Sequence, residues 1–200
     1  KITKKLISYC IVKMSLKITF KNSVKKKLKF FIKKQISKTY SLLLNNSELN
    51  KGFRVFMYHS VMKRIKKEDI YILNLKLFKE QMFYLSKHHQ KDICSLKKVF
   101  SNPSKESFVI TFDDGYKDNI FNVAPVMENL GLPYTIFITT DYIQQNDKRY
   151  LSKDDVKELS KLDGVEIGSH SKTHPRLTNC STQHIKEELL YSKRYLEDLI

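Results

Sequence analysis

Two adjacent carboxylates stand at the end of an apolar run. The stretch Thr111-Phe112-Asp113-Asp114-Gly115 follows Phe108-Val109-Ile110, whose β-branched and aromatic residues predict a buried strand. Gly115 can end that strand in a turn that side-chain-bearing residues enter only at a cost. The aspartates therefore fall at the C-terminal end of a buried strand, where parallel α/β sheets and barrels place their chemistry. Two buried anions side by side repel each other and lose hydration. A divalent cation on one of them relieves that cost and leaves the other free as a base. Co-ligands are offered downstream by Gly168-Ser169-His170-Ser171-Lys172-Thr173-His174-Pro175. Two imidazoles and one carboxylate suit a hard-to-borderline metal, with positions open for water and substrate. The plainer readings are an Asx turn with a solvated carboxylate, and two polar loop histidines. Against them, both motifs end strand-like runs.

The elements that must position these residues show in the pattern. Phe53-Arg54-Val55-Phe56-Met57-Tyr58 reads as the first strand, and 61–75 as an irregular charged loop. Helical spacing at Leu77, Gln81/Met82, Leu85 and His88 predicts a helix. Asp92-Ile93-Cys94 reads as a short strand, Leu96 to Phe100 as a short helix, and Asn102-Pro103-Ser104 as a turn. Strand 107–112 delivers the Asp pair. A helix from Asn119 to Leu130 is ended by Gly131, and Pro133 to Ile138 is the next strand. Ser152 caps a helix through Leu162, with Asp154 and Asp155 in its first turn, where the helix dipole favours them. Gly164 to Ile167 is another strand. Ser181 or Thr182 caps a final helix through Ile200, with Glu187 and Glu188 in its N-terminal half. Strands alternating with helices imply βαβ units and a parallel sheet, an α/β fold.

The net charge of +16 is concentrated at one end. Residues 1–38 hold thirteen lysines and no acidic residue, which leaves 24 basic and 21 acidic residues from 39 onward. The chain divides accordingly into a basic segment with a linker, 1–52, and a nearly neutral domain, 53–200. Within the segment, Val24, Leu28, Phe31, Ile32 and Ile36 fall on one helical face, with Lys25, Lys26, Lys29 and Lys33 around the rest. Such a helix lies on an anionic membrane surface, or packs on the domain by its apolar stripe. Its aromatics lie in the stripe and are not interleaved as a stacking platform, so nucleic acid is not an expected partner. Ser41 to Gly52 reads as the linker. No apolar run reaches the ~18 residues of a membrane span. Leu6 to Val12 behind Lys4-Lys5 is at the short limit for a signal peptide, and no small-x-small cleavage site follows. The chain begins with Lys and is expected to be a fragment or a processed product. Cys10, Cys94 and Cys180 form no disulfide framework.

The two motifs together resemble the polysaccharide deacetylase (NodB-homology, carbohydrate esterase family 4) domains. In that family a TFDDG motif is followed by an H-S/T-x-x-H-P motif, and both stand here in full. Met57-Tyr58-His59-Ser60, Pro133-Tyr134-Thr135-Ile136-Phe137-Ile138 and Val165-Glu166-Ile167-Gly168 also look familial. The Tyr-His opening looks most like the branch that deacetylates poly-N-acetylglucosamine. The resemblance covers Phe53 to the end. It implies an irregular (β/α) barrel, and with 148 residues from Phe53 onward, against about 200 or more for a closed barrel, the C-terminal part is expected to be missing. It also implies a metal-dependent hydrolase that removes N-acetyl or O-acetyl groups from a polysaccharide. Asp114, His170 and His174 would hold a divalent metal, Zn²⁺ above others, with Asp113 the general base. The family's proton donor, in a late Leu-x-His motif, has no counterpart after His184 and is expected beyond residue 200. The Arg motif and the later Asp/Trp motif are absent too. His59 suits first a structural bond to a neighbouring loop and second a substrate contact, and Tyr116 suits equally a substrate contact in the groove and a cover for the barrel rim. Lys153 departs from the Trp that related sequences often carry after Leu-Ser. The family's usual place is the bacterial cell envelope or outside the cell, membrane-associated here through 23–38; a basic N-terminus without a signal also suits the cytoplasmic leaflet.

Two rival readings use the same residues. Two His and one carboxylate can hold Fe(II) for oxygen chemistry, but that triad usually sits on an all-β jelly roll. A catalytically incomplete barrel acting as a membrane-surface or carbohydrate-binding scaffold fits the missing later motifs. An Arg motif and a Leu-x-His motif beyond residue 200 would favour the enzyme.

Overall fold

Strand β4 (Ser107–Phe112) is buried along almost its whole length, as expected for an apolar strand flanked by others in a parallel sheet. In the computed structural model, which describes residues 52–65, 69–101 and 107–200, it lies inside a four-stranded sheet with β1 (Phe53–Tyr58), β5 (Tyr134–Ile138) and β6 (Val165–Ser169). All pairings are parallel and the order is β1-β4-β5-β6. An order that follows the chain is the winding of a β/α barrel, whereas doubly wound sheets reverse it at a switch point. The basic helix expected over 23–38, the residues of the linker before Gly52 and the turn at Asn102-Pro103-Ser104 lie outside the described residues.

The region expected to be an irregular loop over 61–75 contains a small ribbon instead. β2 (Ser60–Met62) pairs in parallel with β3 (Ile72–Asn74), and Val61 is wholly buried. Strands of three residues are too short to show alternation, and their pairing is set by contacts distant in sequence. Helix α1 (Leu75–His89) follows, capped by the Asn74 side chain accepting from Lys76 N. The short strand expected at Asp92-Ile93-Cys94 is a single bridge, Ile93 to Phe108. It is followed by α2 (Leu96–Ser101).

The helix expected over 119–130 opens with a π-helical turn, Asn119–Val123, before α3 (Ala124–Leu130). Here Asn119 Nδ2 donates to His59 O at 3.0 Å and Asn122 Nδ2 to Val61 O at 2.8 Å. The widened turn faces its asparagines to the β1–β2 junction, a use of π-turns common at functional sites. Gly131 closes α3 in the left-handed region, at φ 61°. A one-turn helix α4 (Thr140–Gln144) comes next; its five residues are too few to show a helical period in the sequence. α5 (Lys153–Leu159) stops three residues before the expected Leu162, and Ser181 caps α6 (Thr182–Leu199).

The core is centred on the strand that carries the aspartates. Phe112, fully buried, stacks on Tyr58 (5.5 Å between centroids) and meets Phe78 and Tyr134 edge-on, each at 5.8 Å. Edge-to-face aromatic contacts add about 0.5–1.5 kcal/mol each beyond area burial. The residue before the Asp pair is thus held by β1, α1 and β5 together. Among the described residues no helix is long and apolar enough to cross a membrane.

Candidate metal centre

The site is assembled at the C-terminal ends of β4, β5 and β6. Beyond Phe112, Asp113 N donates to Tyr58 O at 2.9 Å, so the chain still follows β1 at that point. Asp114 then turns out of the strand at φ 70°, and Gly115 follows at φ 72°. A Cβ on Gly115 would lie 3.2 Å from the Ile138 side chain at the end of β5. The turn therefore needs glycine for its conformation and for its packing. On β6, a Cβ on Gly168 would lie 2.6 Å from the Phe137 ring. Glycine there lets Phe137 lie across the sheet toward His170, whose ring is 6.3 Å away.

His170 and His174 leave the end of β6 in a tight loop. His170 N donates to Ile138 O at 2.9 Å, and Thr139 Oγ1 donates to His170 O at 3.3 Å. Ser171 and His174 both have left-handed backbone, φ 65° and 59°. Four described residues other than glycine have positive φ, and three of them, Asp114, Ser171 and His174, are in this site. Such conformations cost about 1–3 kcal/mol each and persist where surrounding structure imposes them.

Three donor atoms converge. Asp114 Oδ1 lies 3.4 Å from His170 Nε2 and 3.5 Å from His174 Nε2, and the two Nε2 atoms are 3.1 Å apart. Asp114 Oδ1 is buried and has no hydrogen-bond partner. A tetrahedral ion with bonds of about 2.0–2.2 Å spaces its ligands by roughly 3.3–3.6 Å, so the triangle has the size of one face of such a site. Among the described residues it is the one group of three such ligands placed to hold a metal. Burial, with His174 and His59 nearby, holds the His170 ring below its usual range despite Asp113 and Asp114. His170 is thus neutral near pH 7, the form that binds metals.

Asp113 stands beside this triangle. Its carboxyl is raised above the usual range, first by burial and also by Asp114, with His170, His59 and His174 opposing. A base that is partly desolvated and near a developing charge is the arrangement general base catalysis uses. His59 lies at the same end, its ring against Tyr71 at 4.8 Å and its carbonyl held by Asn119. Tyr116 packs on Tyr150 at 5.0 Å, which stacks on Tyr142 at 4.1 Å. Burial, then Tyr150, pushes the Tyr116 phenol up, so it stays protonated. The structure thus brings Asp114, His170 and His174 to one point, sets Asp113 beside them, and leaves His59 and Tyr116 in aromatic contacts.

Several residues of the site carry no sequence motif. Asp118 accepts from Ser60 Oγ (2.6 Å) and Val61 N (2.9 Å), tying the segment after His59 to the segment after Gly115. Lys117 pairs with Asp155 at the start of α5. Glu188 of α6 accepts from the loop between the two histidines. Each spans at least 15 residues of sequence, and only its carboxylate or ammonium group hints at a partner.

Comparison with known proteins bears on the family and the fold. A family model described as polysaccharide deacetylase matches residues 100–200. Over 97 residues the chain is 33% identical to YxkH of Bacillus subtilis (strain 168), whose name places it among polysaccharide deacetylases; the match takes in 48% of this chain and 34% of that protein. Among solved structures, the Streptococcus pyogenes deacetylase PplD superposes on 74% of this chain and 69% of its own, at 22% identity and a TM-score of 0.65. A polysaccharide deacetylase from Bacillus cereus superposes on 74% of this chain and 47% of its own, at 24% identity and a TM-score of 0.64. The α/β fold with a parallel sheet is therefore that of these deacetylases. The chain spans about a third of the length of the curated relatives it matches.

Proposed function

The chain belongs to the polysaccharide deacetylase family, and from that premise we propose that it is the metal-binding part of a hydrolase that removes N-acetyl, or O-acetyl, groups from a cell-envelope or extracellular polysaccharide. The observation that carries this reading is the triangle of Asp114 Oδ1, His170 Nε2 and His174 Nε2 beside Asp113. The orphaned, buried oxygen of Asp114 and the neutral imidazole of His170 fit a divalent cation, and this donor set suits Zn²⁺. A bound ion there would polarise the acyl carbonyl and make a water molecule more acidic.

The chain's own residues supply the base and the ligands, while the proton for the leaving group has to come from a donor not found among its motifs. Asp113, which is outside the triangle, accepts the proton of the attacking water. Asp114 and the two imidazoles remain ligands throughout. Tyr116 and His59 line the approach and contact the sugar. The parallel β/α winding disfavours the Fe(II) reading, which calls for all-β patterning. Within the family, the Tyr58-His59 opening supports a poly-N-acetylglucosamine-type substrate. The thirteen lysines of 1–38 support a position at an anionic membrane surface.

The test is acetate release from N-acetylglucosamine oligomers by the Zn²⁺-loaded full chain, before and after chelation. Release that stops on chelation and returns with metal is expected. Tight Zn²⁺ binding through Asp114 without acetate release from any acetylated glycan tried would favour a carbohydrate-binding scaffold instead.

A further inference from the structure

The loop that carries the two histidines has a complete hydrogen-bond account. Its five backbone donors all have partners: His170 N on Ile138 O, Ser171 N on Ser169 Oγ (3.3 Å), Lys172 N and Thr173 N on Glu188 Oε2 (2.9 and 2.8 Å), and His174 N on Ser171 Oγ (3.1 Å). One side chain therefore takes the two donors at the crest of the loop. It also accepts from Thr173 Oγ1, at 2.8 Å on its other oxygen. Glu188 is 2% exposed, and a carboxylate buried that far is retained only where it is well bonded. Burial pushes it up, yet the bonds from Thr173 and Lys172 outweigh burial and hold it below the usual range. His184, one turn earlier on α6, approaches its Oε1 to 3.9 Å. One turn later, Ser192 donates to Glu188 O (2.8 Å) and pairs with Ser169 Oγ (2.6 Å) at the end of β6.

We propose that Glu188 is the positioning residue of the metal centre: from α6 it clamps Lys172 and Thr173, and so imposes the left-handed Ser171 and His174 that turn both Nε2 atoms to one point. It touches neither imidazole, and it acts on metal affinity through the loop backbone. The inference rests on the metal-centre reading above. Without the clamp, the N–H groups of Lys172 and Thr173 lose their acceptor, and the two strained residues are held only by the His174 N bond to Ser171 Oγ and by the bonds that Ser171 O and Lys172 O accept from Thr140 N and Asp141 N.

The experiment measures Zn²⁺ affinity by chelator competition, and the visible spectrum of the Co²⁺-substituted full chain, for four variants. Glu188→Leu removes both acceptors and is expected to weaken Zn²⁺ binding by about 10–100-fold, the range seen when groups supporting metal ligands are lost. It is also expected to change the Co²⁺ spectrum. Glu188→Gln is expected to stay within a few-fold of the parent, since the amide oxygen can take both N–H groups while its nitrogen donates to Thr173 Oγ1. Thr173→Val, at an exposed loop position, removes one bond without disturbing the fold and is expected to weaken binding several-fold; it decides the matter should Glu188→Leu fail to fold. Asp114→Ala should abolish binding. Parent-like Zn²⁺ affinity and Co²⁺ spectrum in a folded Glu188→Leu, or in Thr173→Val where Glu188→Leu does not fold, overturns the positioning role alone. Undiminished binding in Asp114→Ala overturns the metal-centre reading and this inference with it.

Discussion

Asp113 and Asp114 are adjacent in sequence, and what reaches each of them differs. Asp114 leaves the strand at φ 70° and points a partnerless oxygen at two imidazoles; Asp113 keeps its backbone bond to Tyr58 and is desolvated. Asp113→Asn is therefore expected to keep Zn²⁺ binding while turnover falls by about 10²–10⁴-fold, the usual worth of a general base. Asp114→Asn is expected to weaken metal binding itself. Calorimetric titration of both variants checks the assignment, and equal metal loss would reverse it. The pH dependence has a definite sign. As the proposed base, Asp113 acts only when ionised, so activity should climb with pH as its carboxyl loses its proton. The residue types of this site were legible because both motifs hold their members close together in sequence. Glu188 was not: it stands beside Glu187 in a charged helix, and only the tertiary structure makes one of them 2% exposed and the other solvated.

At the scale of elements, α5 shows how a local signal is put to distant use. Ser152 Oγ accepts from Asp155 N, and the Asp155 carboxylate accepts from Ser152 N, a capping box foreshadowed by the serine and the acidic first turn. The same carboxylate binds Lys117, two residues past Gly115, so the cap also anchors the turn that carries the Asp pair. Burial pushes Asp155 up, but Lys117 and Ser152 outweigh it and hold it below the usual range. A depressed carboxylate contributes stability above its unfolded value, about 3.9, and loses it as pH falls through the folded value. Asp155→Asn should thus be less stable than the parent at pH 7, with the difference shrinking below pH about 4; urea melts at pH 7 and pH 3 would show it. A difference independent of pH would remove Asp155's charge from the account. On β6, Gly168→Ala forces its methyl into the Phe137 ring. The expected loss is about 1–3 kcal/mol by overpacking, with Phe137 displaced toward His170 and metal affinity reduced alongside.

At the scale of the whole molecule, the lysine-rich N-terminal segment is proposed to bring the domain to an anionic surface, at about 1 kcal/mol per basic residue near that surface. Full chains carrying Lys25→Gln, Lys26→Gln, Lys29→Gln and Lys33→Gln should sediment less with anionic vesicles than the parent, and the difference should vanish in 1 M salt, where the Debye length is about 3 Å. Equal sedimentation at low salt would end the membrane proposal. What the sequence determined by itself was whatever is written locally. The apolar run of β4, the Ser152 and Ser181 caps, the Gly131 stop and the two motifs that hold Asp113-Asp114 and His170–His174 each depend on residues within a few positions of one another, so periodicity and side-chain chemistry suffice to read them. Tertiary structure alone decided the rest. The β2–β3 ribbon, the π-turn at Asn119, the Lys117–Asp155 anchor and the Glu188 clamp join residues ten or more positions apart, or answer a packing demand made from outside the segment. The strain at Asp114, Ser171 and His174 belongs with them, because a left-handed aspartate or histidine is unfavourable on its own and persists only while the surrounding fold imposes it.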